Sequence, residues 1–162
     1  MRLQHLTIHA RAVGDNPRRF ALGVCGRRFG SHWNGPSTSP LEPMISRDTL
    51  VSFFADTRRL RHNGKVHFDV DGVCRWSFFF VDPSRSKLEP LAGHLQQLGY
   101  EVKGFLEPDS SNDRPVYFLR VDRIECHTVD SLEARNGEFY ELASHFGVED
   151  YDGMDVGEVH GL

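Results

Sequence analysis

The segment from Leu132 to Gly157 constrains the fold more than any other part of the chain. An amphipathic helix in it stops at a glycine, and an acidic, glycine-punctuated stretch follows. Apolar residues recur at i, i+3, i+4 and i+7 on one helix face: Phe139, Leu142, Ala143 and Phe146. Asp130 or Ser131 can cap the first turn, and Gly147 can take the left-handed conformation that ends a helix. The pattern predicts a docked C-terminal helix followed by an acidic rim.

Residues 1–43 differ in composition from the rest of the chain. They contain six Arg, no Lys and two acidic residues, a net charge of +4, and they show no sustained helical or strand period. Four interpretations stay open: a disordered tail, an extension from an upstream start codon with Met44 as the true beginning, a transit peptide, and a basic nucleic-acid-binding arm. We therefore expect a single domain over residues 44–162, preceded by a disordered or mis-annotated extension.

The charge of the expected domain indicates what kind of partner it can bind. Residues 44–162 contain 13 basic and 21 acidic residues, a net charge of −8. Phosphates are bound mainly by Lys and Arg, so an acidic body is unsuited to direct nucleic-acid binding and suits a basic protein partner better. No apolar run approaches the roughly 20 residues that span a bilayer, so no membrane contact is expected. Three widely spaced cysteines are typical of a reducing compartment, which predicts a cytoplasmic location.

Ahead of the C-terminal helix, helical and extended patterns alternate. Ser46 can cap a first helix. Three apolar residues alternate with polar ones over residues 65–70, which predicts a half-buried strand. Asp71-Gly72 is typical of a two-residue hairpin turn and would lead into an apolar strand over residues 74–81.

The second half of the chain repeats this plan. A second helix is predicted to begin near Ser86 and to end at Gly99. Strands are predicted from Tyr100 to Leu106 and from Pro115 to about Cys126. The order α-ββ-α-ββ-α predicts an α+β fold with a four-stranded, mostly antiparallel sheet and helices packed on one face. This is a ββαββα, ferredoxin-like α/β sandwich with an extra N-terminal helix.

Motifs for catalysis and metal binding are weak in this chain. The chain has nine histidines, and the Cys126-His127 pair is the most suggestive of metal binding. Adjacent strand residues point to opposite faces, however, so the two side chains cannot easily coordinate one ion. The stretches Asp69–Gly72 and Asp150–Asp155 do not match the ligand spacing of a calcium loop. Nucleophile-elbow, zinc-protease and phosphate-loop motifs do not occur. We predict no catalytic residues, no metal ligands and no cofactor.

The acidic stretch after the last helix is the candidate binding site. Its acidic side chains can form a contact surface for a basic partner, and two further residues can supply the apolar anchors that interfaces use. The candidate partner-binding residues are Glu149, Asp150, Tyr151, Asp152, Met154 and Asp155.

Two motifs resemble the RraB family of regulators of ribonuclease activity: LAGHLQQLGYEV at 91–102 and NGEFYELASHFGVEDYDGMDVGEV at 136–159. The resemblance spans roughly residues 46–159. It implies a ββαββα sandwich and regulation without catalysis, because the family's named member is a cytoplasmic protein that binds ribonuclease E outside its catalytic centre. The Arg-rich segments of ribonuclease E would be attracted to an acidic surface.

Two other hypotheses remain open. An immunity-type protein, or another acidic module that binds a basic protein, can have the same fold. A small enzyme is the third hypothesis, and it requires a pocket that gathers His127, Glu125 and another carboxylate with strongly shifted pKa values.

Overall fold

The computed structural model describes residues 45–107 and 116–159. Three helices and four strands follow one another along these residues. The elements are α1 (Arg47–His62), β1 (Cys74–Asp82), α2 (Arg85–Gln97), β2 (Glu101–Leu106), β3 (Tyr117–Glu125), α3 (Val129–Phe146) and β4 (Asp150–Gly157). The interpretations of residues 1–43 fall outside the described residues.

The four strands form one antiparallel sheet in the order β2-β3-β1-β4. Strand β1 is central and pairs with β3 along its whole length, from Cys74 opposite Glu125 to Asp82 opposite Tyr117. After α1 the elements follow the order βαββαβ, which is the ferredoxin-like arrangement. The predicted α+β class, the four-stranded antiparallel sheet and the additional N-terminal helix are confirmed.

The core lies between the sheet and the helices. Alternate residues of β1 point toward the helices because side chains alternate across a strand. Trp76 packs against the aromatic rings of α1, and Phe78 and Phe80 pack edge-on against Phe139 of α3. Helix α2 adds three fully buried leucines to the same cluster, Leu88, Leu91 and Leu95. All three helices therefore cover one face of the sheet.

Local sequence signals explain where the helices begin and end. Ser46 Oγ accepts a hydrogen bond from the backbone N–H of Thr49, as an N-cap does. The N-cap of α3 is Thr128, two to three residues before the expected caps, and Thr128 and Ser131 bond reciprocally in a capping box. Gly147 ends α3 in the left-handed conformation, as predicted.

The predicted strand over residues 65–70 and its hairpin turn are not formed. Asp69 and Asp71 are instead held against α1 by ion pairs with Arg61 and Arg58, and the backbone N–H of Gly72 bonds to the carbonyl of Asp69. Strand β1 is paired on both sides, with β3 and with β4, so it leaves no edge for a preceding strand. The element order therefore differs from ββαββα.

The missing strand comes from the C-terminal stretch that was expected to be an acidic rim. Residues 150–157 form β4 and pair with β1, from Asp150 opposite Val81 to Gly157 opposite Arg75. The pairing register shifts between Phe79 and Phe80, which marks a bulge. The acidic stretch is thus an integral edge of the sheet.

No helix among residues 45–107 and 116–159 is both long enough and apolar enough to cross a bilayer.

Candidate functional site

The six candidate binding residues lie on and just before the edge strand β4, and they divide into two groups. The side chains of Glu149, Asp150, Asp152 and Asp155 are partly or fully exposed. Tyr151 and Met154 are only 1% and 4% exposed. A strand that lies over a core alternates inward and outward side chains, so adjacent residues here have different environments.

Tyr151 and Met154 belong to the core in this fold. The Tyr151 ring contacts Phe80, Phe139 and Tyr140, and burial raises its pKa well above the usual value. Asn136 Nδ2 lies 3.8 Å from the Met154 sulfur. The expectation that these two residues act as surface anchors is therefore corrected, because their side chains are enclosed between the sheet and α3.

The four carboxylates give β4 a negative outer border. Asp150 and Asp155 each accept a hydrogen bond from the next backbone N–H, at 2.8 Å, which orients their side chains. Their charge reaches Tyr140 on α3: burial raises the pKa of Tyr140 to about 12, and the carboxylates of Asp150 and Asp152 add to the rise. The structure thus brings the acidic candidate residues together along one border of the sheet.

A charged pair at the centre of the sheet was not anticipated. Arg120 donates to both oxygens of Asp122, at 2.9 and 3.0 Å, and to Ser77 Oγ at 3.1 Å. The bonds to Asp122 raise the pKa of Arg120, and the charges of Asp155 and Glu101 contribute to the rise. These three residues lie on the face of the sheet opposite the helices, because they alternate along β1 and β3 with the side chains that point into the core.

The alternation in β3 contains the signal for this pair. In Leu119-Arg120-Val121-Asp122 the apolar residues are fully buried toward the helices, and the charged residues occupy the intervening positions. A period of two with one charged face is typical of a sheet that is covered on one side only. The alternation therefore indicates a second face of the sheet with charged side chains, although it does not show that the two charges bond to each other.

His127 and Glu125 are close together, but their arrangement is that of a structural network. The buried His127 contacts Glu125 Oε1 through Nε2 at 2.9 Å and Ser131 Oγ through Nδ1 at 3.0 Å. Arg135 also donates to Glu125 Oε1, at 3.1 Å. Burial alone would raise the pKa of Glu125, but the hydrogen bond with His127 and the charges of Arg135 and Arg123 lower it overall. A carboxylate with a lowered pKa is a weak general base near neutral pH.

The geometry also bears on the metal hypotheses. Within the described ranges, no three His, Cys, Asp or Glu side chains are grouped so that they could hold a metal ion. Asp150–Asp155 is extended strand, whereas a calcium loop wraps its ligands around the ion. Cys126 is exposed and its thiol faces the carbonyl of Asp71 at 3.4 Å.

Comparison with known families adds an independent finding. Residues 55–156, more than half of the chain, match the family model described as "Regulator of ribonuclease activity B". The match runs from within α1 to within β4, so it includes the central charged pair and all four carboxylates of the acidic border. A search of curated proteins gave no match.

Proposed function

The chain belongs to the RraB family, regulators of ribonuclease activity, and on this premise we propose that it is a non-catalytic cytoplasmic protein that binds a basic region of a ribonuclease and modulates RNA cleavage. Ribonuclease E, or a ribonuclease with similar Arg-rich segments, is the proposed partner. Binding outside the catalytic centre would change which RNA the ribonuclease reaches, without chemistry by this chain.

The observation that carries this proposal is the acidic border of β4. Asp150, Asp152 and Asp155 lie on the edge strand and are partly exposed, and Glu149 lies just before it and is exposed. Residues 44–162 carry a net charge of −8, so the field of the whole domain adds to that of the border. Such a surface attracts Arg-rich segments over a distance of about 8 Å at physiological salt and accelerates their association.

The test compares two variants with the same change in charge. In the border variant Asp150, Asp152 and Asp155 are replaced by Asn, which keeps an oxygen that can accept the bonds from neighbouring N–H groups. In the control variant Asp48→Asn, Glu89→Gln and Glu141→Gln remove three exposed charges from the helices. Binding to an Arg-rich segment of ribonuclease E is measured by fluorescence anisotropy at low and high salt.

We expect the border variant to bind roughly tenfold more weakly at low salt and the control variant to bind within about twofold of the wild type. The difference should shrink as salt rises, because screening weakens exposed charges. Equal losses of affinity in the two variants would show that binding depends on net charge and not on the acidic border. An absence of wild-type binding at micromolar concentration would overturn the proposed partner.

A further inference from the structure

Two thiols of the chain converge on the turn over residues 69–72. The buried Cys74 donates through Sγ to the carbonyl of Asp69 at 3.0 Å, and the exposed Cys126 donates through Sγ to the carbonyl of Asp71 at 3.4 Å. We propose that Cys74 and Cys126 form a thiol modification site, at which a low-molecular-weight disulfide such as oxidised glutathione converts them to an intramolecular disulfide. This modification is independent of which protein the chain binds.

The backbone brings the two cysteines within reach of a disulfide. Cys74 begins β1 and lies opposite Glu125, the last residue of β3, and Cys126 is the next residue along the chain. Opposite Cα atoms of antiparallel strands are about 4.5–5.5 Å apart, and one further residue adds about 3.4 Å at a right angle. The Cα atoms of Cys74 and Cys126 are therefore roughly 6 Å apart, within the range of about 4.4–6.8 Å that disulfides span.

The side chains can meet because the strand ends before Cys126. In a continuing strand, neighbouring residues would point to opposite faces of the sheet. Strand β3 ends at Glu125, so this alternation does not fix the direction of Cys126, and its thiol contacts the same turn as the buried thiol. Ion pairs of Arg58 and Arg61 hold that turn against α1. Both thiols therefore lie on the side of the sheet that carries the helices.

The two thiols differ in environment, which sets the order in which they react. Burial raises the pKa of the Cys74 thiol to about 11, and the negative charges of Asp69 and of a Cys126 thiolate add to the rise. A thiol with a raised pKa is a poor nucleophile near neutral pH, and an oxidant reaches an exposed thiol first. Cys126 is therefore the thiol that is attacked by the oxidant, and Cys74 is the resolving thiol.

The oxidation proceeds by two exchange steps. The Cys126 thiolate attacks one sulfur of oxidised glutathione, whose S–S bond breaks, and one glutathione leaves as a thiolate that takes up a proton. Cys74 then loses its proton, and its sulfur attacks Sγ of Cys126, which releases the second glutathione. Two protein thiols are oxidised to one disulfide, and one molecule of oxidised glutathione is reduced to two thiols.

A metal ion is a less suitable ligand for this pair. Protein metal sites supply three or more side-chain ligands for a zinc ion. Along residues 45–107 and 116–159, no third His, Cys, Asp or Glu joins the two thiols in a group that could hold a metal ion. Two thiols without further ligands are suited to a disulfide.

The folded structure should favour the disulfide over the unfolded chain. The bond would join the beginning of β1 to the connection between β3 and α3, and it would close a loop of about 50 residues. The fold already holds the two ends of this loop together, whereas the unfolded chain must lose conformational entropy to close it. The equilibrium constant for oxidation by glutathione therefore reports whether the folded site accommodates the bond.

The reference protein for the test is the full-length chain with Cys25→Ser, because Cys25 lies outside the described residues. It is equilibrated with mixtures of reduced and oxidised glutathione, with and without urea, and then quenched with acid. Intact mass and peptide mapping identify the products. Cys74→Ala and Cys126→Ser in the same background are the controls, and circular dichroism verifies that each protein is folded.

We expect the folded reference protein to lose the mass of two hydrogen atoms, with Cys74 joined to Cys126. Its equilibrium constant for oxidation should be roughly tenfold or more larger than that of the chain in urea. Cys74→Ala should keep one glutathionyl group on Cys126, and folded Cys126→Ser should stay unmodified because its remaining thiol is buried.

The folded reference protein decides the outcome even if Cys74→Ala does not fold. A stable glutathionyl group on Cys126 without a disulfide would overturn the proposal, and so would the absence of any modification. An equilibrium constant no larger than that of the unfolded chain would also overturn it, because the fold would then not bring the two thiols together. Rapid modification of Cys74 in folded Cys126→Ser would contradict the order of attack.

Discussion

Tyr151 Oη donates a hydrogen bond of 2.8 Å to Asn136 Oδ1, and both side chains are buried between β4 and α3. Asn136 in turn approaches the Met154 sulfur through Nδ2. A polar contact in an otherwise apolar layer is favourable only while both partners are present. The hydrogen bond between Tyr151 and Asn136 therefore fixes the position of β4 relative to α3.

Removing one partner of this bond should destabilise the protein. Tyr151→Phe leaves Asn136 Oδ1 buried without its donor, which we expect to lower the free energy of unfolding by about 1–3 kcal/mol. The double variant Tyr151→Phe, Asn136→Leu should lose less unfolding free energy than the two single variants together. The reason is that each single variant already breaks the hydrogen bond. Urea denaturation of the four proteins measures this coupling, and strictly additive losses would contradict it.

Truncation at two positions of α3 should have unequal effects. Phe139 is almost fully buried and contacts Phe78, Phe80 and Tyr151, so Phe139→Ala should cost about 3–5 kcal/mol. Leu142 is only partly buried, so Leu142→Ala should cost less, on the order of 1–2 kcal/mol. Thermal melting or denaturant unfolding of the two variants checks the order. Wild-type-like melting of Phe139→Ala would refute the docked helix.

The network around Glu125 should make stability depend on acid. The pKa of Glu125 in the folded protein lies below its usual value of 4.5, so folding favours the ionised form. Its contribution is present above about pH 4.5 and is lost as the pH falls through the folded-state pKa. The stability difference between wild type and Glu125→Gln should therefore be larger at about pH 7 than at about pH 3. The same difference at both pH values would show that the ionised form is not favoured by folding.

Deleting residues 1–43 should leave the melting temperature nearly unchanged. The described core is formed by residues between Leu50 and Val156, and the first helix is capped by Ser46. Differential scanning calorimetry of the full chain and of residues 44–162 measures the difference. A fall of more than about 5 °C, on the order of 1 kcal/mol for a domain of this size, would show that the deleted segment contributes to the folded core.

The sequence predicts well those features that depend on a few neighbouring residues. Ser46, Gly147 and the apolar spacing of Phe139 and Ala143 define helices because caps and periodicity act within one or two turns. The strand over residues 65–70 was predicted wrongly although Val66 and Val70 are buried as its alternation requires. Whether such a segment forms a strand depends on a free neighbouring edge, and β4 occupies that edge of β1.

The candidate site shows the same limit. In β4, Tyr151 and Met154 both point inward although they are three residues apart, because the bulge at Asp152 and Gly153 inserts one residue into the period. Apolar and polar residues therefore do not alternate regularly in this segment of the sequence, and its acidic residues are typical of an exposed tail. The acidic border was predicted, whereas the burial of its two apolar residues and the Arg120–Asp122 pair depend on long-range pairing.

The pairing of β4 with β1 also has a consequence for synthesis of the chain. Phe78 pairs with Met154, about 75 residues further along, so one side of the central strand stays without its partner until nearly the whole domain has left the ribosome. During that interval an apolar strand edge is available to other nascent chains, and aggregation competes with folding. The acidic residues of the last strand would then repel further strands once it is in place, closing the sheet against continued growth.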